Sequence, residues 1–243
     1  MDFLSQLRYK TAIIIDISVL TLLYVFLIID GSGKSFESQY GVSSKTLVFI
    51  GYILWTMSIN VIASMTSAIE VESKNGTLQN VLNSKYPMEW ILFSEFISSQ
   101  FINLIVIFAI ALVSKLFFKM DLMFSPSMIL PIIICILGMF GIGLILAGIS
   151  LLIKKVNALI LFLQVFLLFI SNTIPTNEAL LKVSQFIPLT MANDVTRRIA
   201  AGDTYSKDLL ILFGVSVLFV FFGDIIFRYL LIKAKKKDIL LLN

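Results

Sequence analysis

The chain has no histidine, a single cysteine and only five prolines in 243 residues. Without histidine there is no His-ligated zinc or haem site and no Ser/His/Asp triad. With Cys135 alone, no disulfide, thiolate metal cluster or CxxC pair forms within one chain, so neither metal nor redox chemistry is expected. Charge is scarce too. Asp, Glu, Lys and Arg make up 14% of the residues, against about 25% in soluble domains. Most enzyme chemistries are thereby set aside, and no catalytic residue or nucleic-acid partner is expected.

What fills the chain instead is apolar side chain: 58% of residues are hydrophobic and the mean hydropathy is +0.98. Stretches such as Ser127–Ile153 and Val156–Ile170 are apolar all the way round a helix, which a water-soluble helix with one polar face is not. They approach or exceed the roughly 20 residues that span hydrocarbon. The expected fold is all-α and polytopic, one domain over residues 1–243. Hydropathy places six spans, at Ala12–Ile29, Thr46–Ile69, Met88–Phe117, Ser127–Ile153, Val156–Thr173 and Leu209–Ile232. The third and fourth are long enough to tilt or protrude.

The N-terminal charge order resembles a signal peptide, but its apolar region is overlong and lacks a small-residue cleavage site, so it reads as a retained first helix. Before it, Phe3, Leu4 and Leu7 with Arg8 and Lys10 give residues 1–10 the pattern of an interfacial helix. Basic residues near the short loops set the orientation. With the N-terminus cytoplasmic, that side holds Arg8, Lys10, Lys74, Lys85, Lys154, Lys155, Lys233, Lys235, Lys236 and Lys237. The other side holds Lys34, Lys45, Lys115, Lys119, Lys182, Arg197, Arg198 and Lys207, several in the longest loop, where charge counts least. Both termini are therefore expected inside a plasma membrane, and the Ile, Lys and Asn richness points to a low-GC bacterium.

Two connections predict structure of their own. In residues 70–87 an Asn75-Gly76 turn precedes Thr77 as an N-cap, and Leu78, Val81 and Leu82 follow at helical spacing, a short amphipathic helix. Residues 174–208 start near Pro175, break at Pro188, then offer Thr190 as a cap, Arg197 and Arg198 in a last turn and Gly202 as a stop. This predicts an outer-side helical segment lying on or dipping into the leaflet.

Gly31-Ser-Gly33-Lys34-Ser35 has the ending of a phosphate-binding loop, but Ile28 stands where its first glycine belongs and no strand precedes it, so it reads as an outer turn. Asp16, Glu95 and Asp224 fall inside apolar spans. Structural pairing and an ion relay are both open for them, and Asp224 has Arg228 four residues later in the favourable order. Thr56, Asn60, Ser64 and Ser67 form a polar stripe on the second span, for helix packing or for lining a pathway. Phe162, Phe166 and Phe169 form an aromatic stripe on the fifth span around Gln164, facing lipid or walling an amphipathic substrate. Gly138, Gly141, Gly143, Ala147 and Gly148 smooth the fourth span for close backbone approach.

Glu70-Val-Glu72-Ser-Lys74-Asn-Gly76-Thr77-Leu78-Gln79, with Pro87 ahead of the third span, resembles the cytoplasmic loop of type-2 ABC exporter permeases. Phe186-Ile-Pro188-Leu-Thr190 with Arg197, Arg198 and Gly202 is similar to that family's outer segment between its fifth and sixth helices. Gln79 stands where the family often has Glu. The resemblance implies a permease half pairing with a second permease, as homodimer or heterodimer, and with two ATP-binding subunits. ATP and Mg would belong to those subunits and none to this chain. Glu70, Glu72, Lys74, Gly76, Thr77, Leu78, Gln79, Val81, Leu82 and Pro87 would then form the coupling-helix loop, and residues 1–10 the connecting helix. The expected cargo is an amphipathic drug, peptide or lipid moved outward. The competing expectations are an ion-coupled secondary transporter or channel using Asp16, Glu95 or Asp224, and a non-transporting membrane scaffold or intramembrane enzyme, the enzyme disfavoured by the missing histidine and cysteine pairs.

Overall fold

Apolar runs this long favour a backbone that satisfies its hydrogen bonds within one segment, as a helix does. The computed structural model describes residues 10–31, 33–119, 125–153 and 156–236. The 1–10 helix therefore falls outside the described residues except for Lys10. In chain order the helices are α1 (Lys10–Ile29), α2 (Lys34–Tyr40), α3 (Ser44–Lys74), α4 (Leu78–Leu82), α5 (Met88–Phe118), α6 (Ile129–Ser150), α7 (Asn157–Ile170), α8 (Glu178–Ser184), α9 (Pro188–Ala201) and α10 (Ser206–Lys236). A 3-10 turn, Pro126–Met128, leads into α6, and there is no strand among the described residues.

Four of these helices are long and apolar enough to cross a membrane: α3, α5, α6 with its leading turn, and α10. Helix α1 joins α2 through a bend of 69°, at a turn where Gly31 takes φ +72°. Helix α7 is shorter, with 14 residues, about 21 Å at 1.5 Å per residue against a hydrocarbon core of about 30 Å. The third and fourth apolar segments are long enough to tilt or protrude: α5 has 31 residues and α6 with its leading turn has 25, against the roughly 20 that span hydrocarbon. Helices α3, α5 and α10 each have 31 residues, about 46 Å, whereas α6 stops at Ser150.

The layout follows from where each helix hides its side chains. In α3, 89% of the apolar window is buried, against 22% in α5 and 17% in α10. So α3 is the central post and α5 and α10 are outer staves, whose exposed Phe101, Phe108, Phe213 and Phe221 face outward. Contacts also fix direction. Ser58 meets Cys135 and Met65 lies against Gly143, while Gly138 lies against Ser216 and Gly148 against Leu230. Positions thus rise together along α3, α6 and α10, which run parallel. Leu20 meets Tyr52 and Tyr24 meets Phe49, so α1 runs against α3. The α3–α4–α5 hairpin and the bond from Gln100 to Asn60 reverse α5. Gln164 sits at Trp55 and Thr173 at Gly51, which reverses α7. The six apolar helices alternate in direction.

The glycines of α6 are spent within the chain. A Cβ on Gly141 would press into the backbone of Phe219 and one on Gly223 into the backbone of Gly141, so α6 and α10 touch backbone to backbone. Gly223 of α10 supplies the other half of this contact.

Candidate functional site

Two ends of the bundle carry polar structure. At the first, α3 ends where Asn75 caps it and Gly76 takes φ +68°, a left-handed turn that glycine accepts without cost. Thr77 does not cap α4 with its side chain. Its hydroxyl donates back to the Glu72 carbonyl and carboxylate, which ties α4 to its stem. Lys74 pairs with Glu70 at 2.7 Å. Leu78 is buried and Leu82 packs against the main core, so the apolar face of α4 is docked onto this chain. From α4 onward the hairpin leaves Asn80, Asn83, Ser84, Lys85, Tyr86 and Pro87 exposed, with Gln79 and Val81 half-buried.

At the opposite end, α7 unwinds at Ser171. Asn172 takes φ +58°, and Ser171, Asn172 and Thr173 are buried with carbonyls freed from the helix ladder. Helix α9 answers them. Asn193 Nδ2 donates to the Ser171 carbonyl at 2.8 Å. Arg197 Nη1 donates to Asn172 O at 2.8 Å, its Nη2 to Thr173 O at 3.2 Å and its Nε to Leu47 O at 3.4 Å. A cation at a helix C-terminus also meets the negative end of the helix dipole. The guanidinium lies 3.8 Å from the centre of the Phe36 ring, a cation–π contact. Gly51 makes room for it, since a Cβ there would sit 2.6 Å from Nη2.

Arg197 is fully buried. Burial pushes its guanidinium down to about 10, while Tyr40 and Asp194 pull it up, so it stays charged at neutral pH. Asp194 accepts from Tyr40 Oη at 2.6 Å and from Arg198 Nε at 2.8 Å. Arg198 also reaches Asp208 at 3.4 Å, and Asp194 holds its guanidinium above the ordinary value. The sequence placed Arg197 and Arg198 together in a last turn, but they do separate jobs, one inside and one at the surface. Thr190 is not the cap: α9 begins at Pro188 behind Ile187, and Gly202 stops it at φ +80°.

Other sequence-derived candidates are scattered. Thr56 donates to Ile53 O and Ser64 to Val61 O within α3 itself, and Asn60 accepts from Gln100 of α5 at 3.1 Å; along the stripe Thr56 is buried, Asn60 and Ser64 are half-buried and Ser67 is exposed. Phe162, Phe166 and Phe169 are exposed, and the first two stack with ring centres 5.9 Å apart. Gln164 meets Trp55 through its backbone carbonyl. The two stripes do not face one another within the chain. Glu95 is buried on α5, and the side chain of Asp16 lies outside the described residues. Arg228 pairs with Asp224 at 2.9 Å and with Glu89 at 3.1 Å.

Sequence reading missed Asn193, Asp194, Tyr40, Gly51 and Glu89. One signal was present. Asn193/Arg197 and Asp194/Arg198 are each four residues apart, which puts a polar pair on each of two adjacent faces of one helix. Among known proteins, no family model, no curated protein and no solved structure matches the chain.

Proposed function

We propose that the chain is the six-span permease subunit of an ATP-driven exporter, moving an amphipathic compound outward with a second permease copy or homologue and a separate ATP-binding subunit. The hairpin α3–α4–α5 carries this reading. Its two 31-residue arms overrun a hydrocarbon core of about 30 Å by roughly half again. Between them sits a five-residue helix, pinned by Thr77 to Glu72 and by Leu78 and Leu82 to the core. A short helix held this firmly is suited to transmit a push and not to absorb it.

The alternation in direction of six apolar helices supports six passages, with α1 continued by α2 and α7 continued by the buried 171–173 turn as the two irregular ones. Non-helical backbone at membrane depth is tolerated where protein covers it, as Arg197 and Asn193 do. The basic-residue bias favours the hairpin and both termini on the cytoplasmic side. ATP and Mg stay on the partner subunit.

The face offered to that partner is the exposed tip, not the docked leucines. Lys85→Glu combined with Tyr86→Asp is expected to leave the permease folded and to cut co-purification of the ATP-binding subunit at least about ten-fold, with transport lost. Unchanged co-purification and unchanged stimulation of hydrolysis would refute the exporter reading. Transport that runs on a proton gradient without ATP would move the assignment to a secondary transporter.

A further inference from the structure

On the side of the bundle, a cavity of about 630 Å³ opens between α5, α6 and α10. Its walls are apolar, with Phe93, Phe140 and Val220 among them, and Trp90 stands exposed at one rim. Along α10 it runs from Phe213 to Arg228, about 22 Å at 1.5 Å per residue. That exceeds one leaflet's hydrocarbon, about 15 Å as half of the core.

Two polar features break this greasy surface. At the end nearest the α4 hairpin, Glu89 and Asp224 share Arg228, leaving an excess of one negative charge. One turn from the opposite, Phe213 end, Ser216 is 3% exposed and its hydroxyl has no hydrogen-bond partner, although it lines the cavity.

We propose that this groove binds a long-chain amphiphile with a cationic head, its alkyl chain along α10 and its ammonium group at Glu89 and Asp224. The chain length follows from the groove's extent and the sign of the head from the surplus carboxylate. Trp90 at the rim adds an aromatic face for an ammonium group. The site rests on the groove alone and holds whether or not the chain works as an exporter.

The test uses the purified full chain in uncharged detergent, with no ATP-binding subunit present. A hexadecyltrimethylammonium probe brominated on its chain is titrated while tryptophan fluorescence is read, beside a hexadecyl sulfate probe brominated the same way. The cationic probe is expected to quench saturably at a concentration at least about five-fold lower than the anionic one. Trp90→Phe removes the signal, because Trp55 is buried elsewhere. Glu89→Gln with Asp224→Asn leaves Arg228 as the only charge and should invert the preference. If that pair fails to fold, Arg228→Gln, which adds to the negative surplus, should tighten the cationic probe several-fold. Equal quenching by both probes that neither charge variant alters would overturn the proposal, as would the absence of any saturable phase. Cross-linking of Val217→Cys between two copies, with quenching lost as dimer forms, would assign the groove to a second copy and overturn it as well.

Discussion

The two polar ends of the bundle solve opposite problems. At the hairpin end, charged residues sit at the surface. Lys74 is 68% exposed and meets Glu70 in a pair that water and salt screen, so the hairpin owes its shape to Gly76, to Thr77 and to two docked leucines. At the far end, one guanidinium is sealed from water and caps a helix that stops inside the protein. The difference teaches where charge carries structure in this chain: Arg197 holds the backbone together, whereas Lys74 and Glu70 decorate it.

Removing Arg197 should break that contrast most severely. Arg197→Met leaves the Asn172 and Thr173 carbonyls buried without donors, at about 1–3 kcal/mol each, so a total loss of about 3 kcal/mol is expected in denaturant unfolding of the detergent-solubilised protein. Arg197→Lys should recover less than half of it, because an ammonium cannot span two carbonyls as the planar fork does. A loss below about 1 kcal/mol for the methionine variant would show that water reaches this end after all.

Gly51→Val should come next. Its side chain would collide with Nη2 of Arg197, and overpacking of this kind costs about 1–3 kcal/mol. Combined with Arg197→Met, the penalty should shrink, giving a coupling of about 1 kcal/mol or more in a double-mutant cycle. Strict additivity would mean that the glycine serves the neighbouring Thr173 backbone and not the guanidinium.

The smallest effect belongs to the hairpin pair. Glu70→Gln is expected to change unfolding stability by no more than about 0.5 kcal/mol, a shift most visible at low salt. A loss comparable to that of Arg197→Met would erase the distinction between the two ends.

Much of the bundle was legible because a span is written in consecutive apolar residues, and Gly76, Pro188 and Gly202 punctuate it where backbone conformation demands. The α4 helix was legible from Leu78, Val81 and Leu82. Which way it faces was not: amphipathic spacing says that one side is buried, not whether this chain or another buries it. The burial of Arg197 was out of reach for a related reason. Two adjacent arginines look alike in sequence, yet successive residues on a helix point about 100° apart, so one turned to the core and the other to Asp194. The early end of α7 was hidden because Ser171–Thr173 unwinds only where a donor from α9 is ready to receive its carbonyls. The α5–α6–α10 groove was likewise out of reach, since Glu89, Ser216 and Arg228 meet only after three helices have packed.

Helix α3 touches both ends. Leu47 and Gly51 near its start contact Arg197, and Glu72 near its finish holds the hairpin through Thr77, about 32 Å from Gly51 at 1.5 Å per residue. With 89% of its apolar window buried, α3 would transmit a tilt about its middle to both tips at once. By simple geometry, a rocking of about 5° moves each tip of a 46 Å rod by roughly 2 Å in opposite senses. A displacement of that size exceeds the tolerance of a guanidinium bonded to fixed carbonyls, so force applied at one face of the bundle would be felt as strained bonds at the other.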